Sequence, residues 1–166
     1  MTNNDILRRL RYILDFDNAK MIETFAMADM AVKRGRIAAW LRKEDEESYL
    51  ECDDKTLAVF LNGLISIKRG KKDGPQPEPE DALTNNIILR KLKIAFNLDS
   101  DDIIAILLLS DFSLSASELG SFFRKPGHRN YRACKSQVLR NFLMGLQIKF
   151  REQEKKRAGS VWPSSN

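Results

Sequence analysis

An all-α fold made of two homologous four-helix units, packed together, is what this sequence predicts. Three observations predict it. Apolar residues recur at steps of three and four, and no stretch alternates with period two. The chain repeats itself without a gap at an offset of 82 residues. Between the copies lies KRGKKDGPQPEPED, residues 68–81, rich in Gly, Pro and charge and without apolar periodicity.

The repeat is dense. Thr2, Asn3, Asn4, Ile6, Leu7, Arg8 and Leu10 meet Thr84, Asn85, Asn86, Ile88, Leu89, Arg90 and Leu92. Arg42, Lys43, Tyr49 and Cys52 meet Arg124, Lys125, Tyr131 and Cys134. Leu57, Phe60, Leu61, Gly63 and Leu64 meet Leu139, Phe142, Leu143, Gly145 and Leu146. The expected organisation is a first unit over 1–67, a linker over 68–83, a second unit over 84–157 and a flexible tail over 158–166. Pro75, Pro77 and Pro79 stiffen the linker. The units are expected to pack together, because a core drawn from little more than 60 residues is marginal alone.

Helix one is predicted to start at an N-cap, Asn4 or Asn86. Its apolar face is Ile6, Leu7, Leu10 and Leu14, matched by Ile88, Leu89, Leu92 and Phe96. Helix two follows the caps Asp17 and Asp99 or Ser100, and its expected inner face is Met21, Ile22, Phe25 and Ala26, matched by Ile103, Ile104, Leu107 and Leu108. Helix three is short. In the second unit Ser115 and Glu118 form a capping box, and Pro126-Gly127 ends the helix. Helices two and three together have the rhythm of a helix-turn-helix, with Asp29 or Asp111 where a glycine is usual. Helix four carries Leu57, Phe60, Leu61 and Leu64, matched by Leu139, Phe142, Leu143 and Leu146, with Phe150 beyond. Gly63 and Gly145 sit inside it. A mid-helix glycine costs about 1 kcal/mol relative to alanine, so its repetition predicts close helix–helix approach.

Composition bounds the function classes. The chain has 166 residues, 43% hydrophobic and 31% charged. No apolar run nears the ~18–20 residues of a membrane span. The opening MTNNDILRRLRYIL carries charge in every turn, unlike a signal peptide. Two cysteines are too few for a disulfide scaffold. A cytoplasmic setting is the expectation. The net charge of +5 is unevenly spread: residues 1–66 hold 10 Lys and Arg against 12 Asp and Glu, whereas residues 84–150 hold 10 against 5.

The twice-used NNxILRxL opening, the RKxxxxxYxxC that follows and the closing LxxFLxGL resemble the YehS-like family of small bacterial proteins with a duplicated domain of unknown function. The resemblance covers both units. It implies a duplicated domain in a bacterial, cytoplasmic setting, and no assigned activity, cofactor or catalytic residue.

The second unit's loop RKPGHRNYRACK, residues 124–135, shares its skeleton with RKEDEESYLECDDK, residues 42–55, yet one is basic and the other acidic. Arg124, Lys125, His128, Arg129, Tyr131, Arg132 and Lys135 are the candidate partner-binding residues. One arrangement sets Glu44, Asp45, Glu46 and Glu47 against Arg129 and Arg132 inside the chain; another pairs them between chains. Catalysis is not expected. His128 is the only histidine, no third group orients it, and Glu46 stands at its place in the first unit. Zinc wants about four ligands in close-spaced pairs, and Cys52 and Cys134 lie a whole repeat apart. No phosphate-binding glycine loop occurs. The predicted function is a non-enzymatic binding or adaptor protein without cofactor or metal. A protein partner or self-association ranks ahead of nucleic acid, with no membrane role. The rival is a DNA- or RNA-binding protein using the same loop plus Arg90, Lys91 and Lys93.

Overall fold

The computed structural model describes residues 1–152 together with Lys156 and Gly159; the rest of the expected tail lies outside the described residues. Each unit contributes four helices: α1 Asn3–Leu14, α2 Asn18–Met27, α3 Arg34–Leu41 and α4 Asp54–Arg69, then α5 Asn85–Ala95, α6 Ser100–Leu109, α7 Ala116–Phe122 and α8 Ser136–Gln147. A π-turn, Ile148–Glu152, extends α8. No strand occurs among the described residues. No described helix is long and apolar enough to cross a membrane.

Local chemistry sets most boundaries where the sequence places them. Asp17 accepts from the Lys20 amide at 2.8 Å, and Asp99 accepts from that of Asp102 at 2.8 Å. Ser115 and Glu118 close a reciprocal capping box over α7. Two expectations need correction. The N-caps of α1 and α5 are Thr2 and Thr84, whose hydroxyls accept from the amides of Asp5 and Ile87 at 3.1 and 3.2 Å. Asn4 and Asn86 lie inside the helices and are buried. Thr and Asn both favour the cap position, and here the asparagine is needed inside the fold. Pro126-Gly127 does not end α7, which stops at Phe122. The pair instead forms a reverse turn, with the His128 amide donating to the Lys125 carbonyl at 3.0 Å and Gly127 at φ 94°.

Asp29 and Asp111, which follow helix two in each unit, adopt φ of 63° and 58°. They supply the left-handed turn that glycine usually makes. The connections from helix two to helix three, residues 28–33 and 110–115, are six residues each, against the 3–4 typical of a helix-turn-helix.

Within each unit helix four packs on helix two, α4 on α2 and α8 on α6. Across the units the pairing is reciprocal: α4 packs on α5, and α8 on α1. That exchange is the mark of a pseudo-two-fold. One continuous apolar cluster runs through both units, from Leu7, Phe25, Trp40 and Phe60 to Leu89, Leu107, Leu119 and Phe142. Phe25 is its aromatic hinge, 5.3 Å from both Trp40 and Phe60. The repeated glycines are where the helices touch. A Cβ on Gly63 would lie 1.8 Å from the Thr24 carbonyl oxygen, and one on Gly145 would lie 2.1 Å from that of Ile106.

The two halves are unequal. α4 is buried from Thr56 to Leu64, whereas α8 exposes Arg140 and Met144. These stand at the positions of Ala58 and Asn62, both buried in α4. Phe150 lies in the π-turn and stacks on Phe96 at 5.3 Å. The proline-rich segment is more than a spacer. It is tied down by Lys71–Asp29 at 3.6 Å, Lys91–Glu80 at 2.9 Å and the Leu83 amide donating to Asp54 at 2.9 Å. α4 runs to Arg69, two residues past the expected unit boundary. Lys68 and Arg69 suit the negative end of its dipole.

Candidate functional site

The motif shared by both units turns out to be a clamp. In the first unit the Asn4 amide donates to the carbonyls of Trp40 and Leu50, both at 2.9 Å. Its oxygen accepts from the Cys52 amide at 3.0 Å and the Tyr49 hydroxyl at 3.1 Å. In the second unit Asn86 donates to the carbonyls of Phe122 and Arg132 at 3.1 and 2.8 Å, and accepts from the Cys134 amide at 2.9 Å. Asn3 and Asn85 donate to the carbonyls of Cys52 and Cys134. Arg8 and Arg90 reach the carbonyls of Arg42 and Phe123. A side-chain amide has two donor hydrogens and an acceptor oxygen. Buried at the start of helix one, it satisfies backbone groups on both sides of the long loop. The Asn-Asn, Arg and Cys positions repeat because they hold that loop to its helix, and Tyr49 adds its hydroxyl to the clamp in the first unit.

What the loops present to solvent is what differs between them. In the second unit Arg124, Lys125, His128, Arg129, Arg132 and Lys135 are exposed, and Tyr131 is half-buried. The Arg132 guanidinium rests on the Tyr131 carbonyl at 3.0 Å. His128 accepts the Asn130 amide on Nδ1 at 3.0 Å. Ser117, Ser121, Arg124, Asn130 and Arg132 line a shallow groove of about 460 Å³ beside α7. Among the described residues no ion pair joins this loop to Glu44, Asp45, Glu46 or Glu47. The intrachain pairing of Arg129 and Arg132 with the acidic loop is therefore not formed.

Lys135 is distinctive. It is the N-cap of α8 and makes no side-chain cap. Asp53 holds the same place on α4 and accepts from the Thr56 amide at 2.8 Å. Those hydrogen bonds from Thr56 hold the Asp53 carboxyl below its ordinary range. A lysine there forgoes the cap and places a cation at the positive end of the helix dipole.

Of the three cations expected on α5, Lys91 is not available. Its side chain is only 12% exposed; it meets Glu80 as a charge pair and donates to the Asn62 side-chain oxygen at 2.6 Å. Arg90 is held by the Phe123 carbonyl at 2.7 Å, and the Lys93 ammonium lies 4.6 Å from the Phe123 ring centroid.

Both cysteines are free and buried. Burial pushes the Cys52 thiol up to about 12, helped by Asp53, Asp54 and Glu51, and pushes Cys134 up to about 11. Neither is poised as a nucleophile. Labelling of both thiols at pH 8 is expected to run on the order of a hundredfold slower in the native protein than after unfolding. Comparable rates with a chromogenic disulfide reagent would contradict this reading. Among the described residues no cluster of three or more His, Cys, Asp or Glu side chains is arranged to hold a metal ion.

One feature escapes the sequence altogether. Arg8, Arg9, Tyr12, Arg140 and Gln147 line a groove of about 510 Å³ between α1 and α8. Arg9 and Arg140 come from opposite ends of the chain, so no local pattern marks them.

Comparison with known proteins fits this duplicated design. The family described as "Protein of unknown function (DUF1456)" matches residues 3–70 and again 85–152. "Uncharacterized protein YehS" of Escherichia coli (strain K12) is 48% identical over 147 residues, covering 88% of this chain and 94% of the relative. No solved structure matches. The boundaries of both matches coincide with the ends of the clamp-and-helix units, and the chain belongs to the YehS-like family of proteins with a duplicated domain of unknown function.

Proposed function

We propose that the protein is a non-enzymatic binding or adaptor protein that meets an acidic protein surface, another copy of itself included, through the 124–135 loop. The observation that carries this reading is Lys135. The first unit caps helix four with Asp53; the second gives up that cap and adds an exposed cation to the loop that carries Arg124, Lys125, Arg129 and Arg132. Sites that sacrifice local stability are where function is expected. The clamp supports the same reading, because it holds the loop backbone at Arg132 and Cys134 and so presents the charges in a fixed array. Nucleic acid is the less favoured partner. Lys91 is consumed by Glu80, and the exposed residues of α7, Ala116, Ser117 and Glu118, offer no basic side chain for phosphate or base edges.

The test is fluorescence anisotropy with a labelled peptide of residues 44–51, EDEESYLE, and with labelled duplex DNA, across a salt series. Peptide binding that is lost in Arg129→Glu/Arg132→Glu is the expected result. DNA binding with a steep salt slope, lost in the same variant, would replace the protein partner with nucleic acid. Binding of neither probe would remove the loop as a contact surface. A second expectation follows from the cap. Lys135→Asp should raise stability by about 1 kcal/mol in a denaturant melt while weakening peptide binding. A stability loss would contradict it.

A further inference from the structure

The pseudo-two-fold relates the groove between α1 and α8 to the one between α4 and α5. Arg8, Arg9, Tyr12 and Gln147 of the first stand where Arg90, Lys91, Ile94 and Ile65 of the second stand. The second groove is walled on one side by the chain itself, and a cavity of about 620 Å³ remains within it. Pro75, Gln76, Pro77 and Glu80 line it, and Glu80 neutralises Lys91. The first groove has the matching cation, Arg9, and among the described residues no matching acid. Among the described residues neither Arg9 nor Arg140 enters an ion pair, and the Arg9 Nη1 is buried without a hydrogen-bond partner. The carboxylate that lines it, Asp5, is spent on Arg8 and the Thr2 amide. Its walls differ too: Arg140 stands at the position of the buried Ala58, and beside it Met144, 37% exposed, stands at that of the buried Asn62.

A buried guanidinium nitrogen without a partner costs free energy that a ligand's acceptor recovers. From this we infer that the α1–α8 groove binds an extended acidic segment of a partner protein, whose carboxylate meets it as Glu80 of the chain's own proline-rich segment meets Lys91 beside the α4–α5 groove. A carboxylate of the segment takes the place of Glu80 and pairs with Arg9 and Arg140. Its apolar residues lie along Met144. The commitment to an acidic peptide rests on the segment that walls the related groove, which is proline-rich and carboxylate-bearing. This surface is separate from the 124–135 loop and does not depend on it.

The probe is a fluorescein-labelled peptide of residues 74–83, GPQPEPEDAL, titrated into the full chain. Saturable binding is expected, weakened at least tenfold by Arg140→Glu and by Arg9→Gln, and unchanged in Arg129→Glu/Arg132→Glu. Arg140 is exposed, so Arg140→Glu keeps the test informative if Arg9→Gln fails to fold. No saturable binding, or unchanged affinity in Arg140→Glu, overturns the inference. Equal loss in the loop variant would place the site at the loop and overturn it too. Two further arms exclude other occupants. Displacement of the peptide by duplex DNA that itself fails to bind Arg140→Glu would make the site a polyanion groove. Sedimentation of wild type as a dimer and of Arg140→Glu as a monomer would make it a self-association face.

Discussion

Gly63→Ala is expected to destabilise the fold by at least ~3 kcal/mol, with Gly145→Ala close behind. The reason is backbone against backbone. The new methyl carbon would sit 1.8 Å from the Thr24 carbonyl oxygen in the first case and 2.1 Å from that of Ile106 in the second. A clash with a flexible side chain relaxes by rotation; one with a helix backbone relaxes only by moving α4 off α2, or α8 off α6. Those contacts hold each unit together. Gly120→Ala is the control. It lies in α7 with nothing within 4 Å of the added carbon. Alanine there should stabilise by ~0.5–1 kcal/mol through helix propensity and a less flexible unfolded chain. Urea midpoints of the three variants check the contrast. A Gly63→Ala midpoint equal to wild type would show that the helices do not approach through this residue.

Asn86→Ala should cost on the order of 3–5 kcal/mol, and Asn4→Ala a similar amount, because one deletion strands several groups at once. In the second unit these are the Cys134 amide and the carbonyls of Phe122 and Arg132. Hydrogen exchange at residues 131–134 should accelerate in Asn86→Ala together with the loss of stability. Asn86→Asp sharpens the point. Its carboxylate keeps the acceptor for Cys134 but faces two carbonyl oxygens where donors stood. Its folded pKa should therefore rise above the ordinary aspartate value, so the variant's deficit relative to wild type is smallest at low pH and grows as pH rises. An Asn86→Asp deficit that is flat with pH would mean the amide hydrogens do not hold the loop.

The parts of this architecture that are local are legible in the amino-acid sequence. The helix periods and the Asp17, Asp99 and Ser115 caps follow from residues within a few positions of each other; the crowding at Gly63 and Gly145 shows only as a mid-helix glycine used twice, since Thr24 and Ile106 lie far upstream. The parts that are not legible are those whose partners lie far away. Asn4 and Asn86 read as helix caps because their true partners are 36 to 48 residues downstream. Lys91 reads as a surface cation because Glu80 belongs to a segment with the composition of a free linker. The basic loop is visible as charge, but that it is unpaired with its acidic counterpart is a matter of how the units pack. The groove at Arg9 and Arg140 exists only through that packing. Neither the repeat nor the periodicity announces it.

Duplication explains this division. Two copies of one clamp fix the same loop backbone twice, so the loop surfaces were free to diverge, one toward acid and one toward base. The shared residues hold the scaffold, and in the function proposed above the divergent charges of residues 124–135 make the contact. Charge reversal tests it most directly. The Arg129→Glu/Arg132→Glu protein would be titrated with a labelled peptide in which residues 44–47 are all lysine, KKKKSYLE. This pair is expected to bind as the wild-type protein binds EDEESYLE, while each mismatched pair does not. Absence of binding in the reversed pair, with EDEESYLE still held by the double variant, would contradict it and move the contact away from the loop.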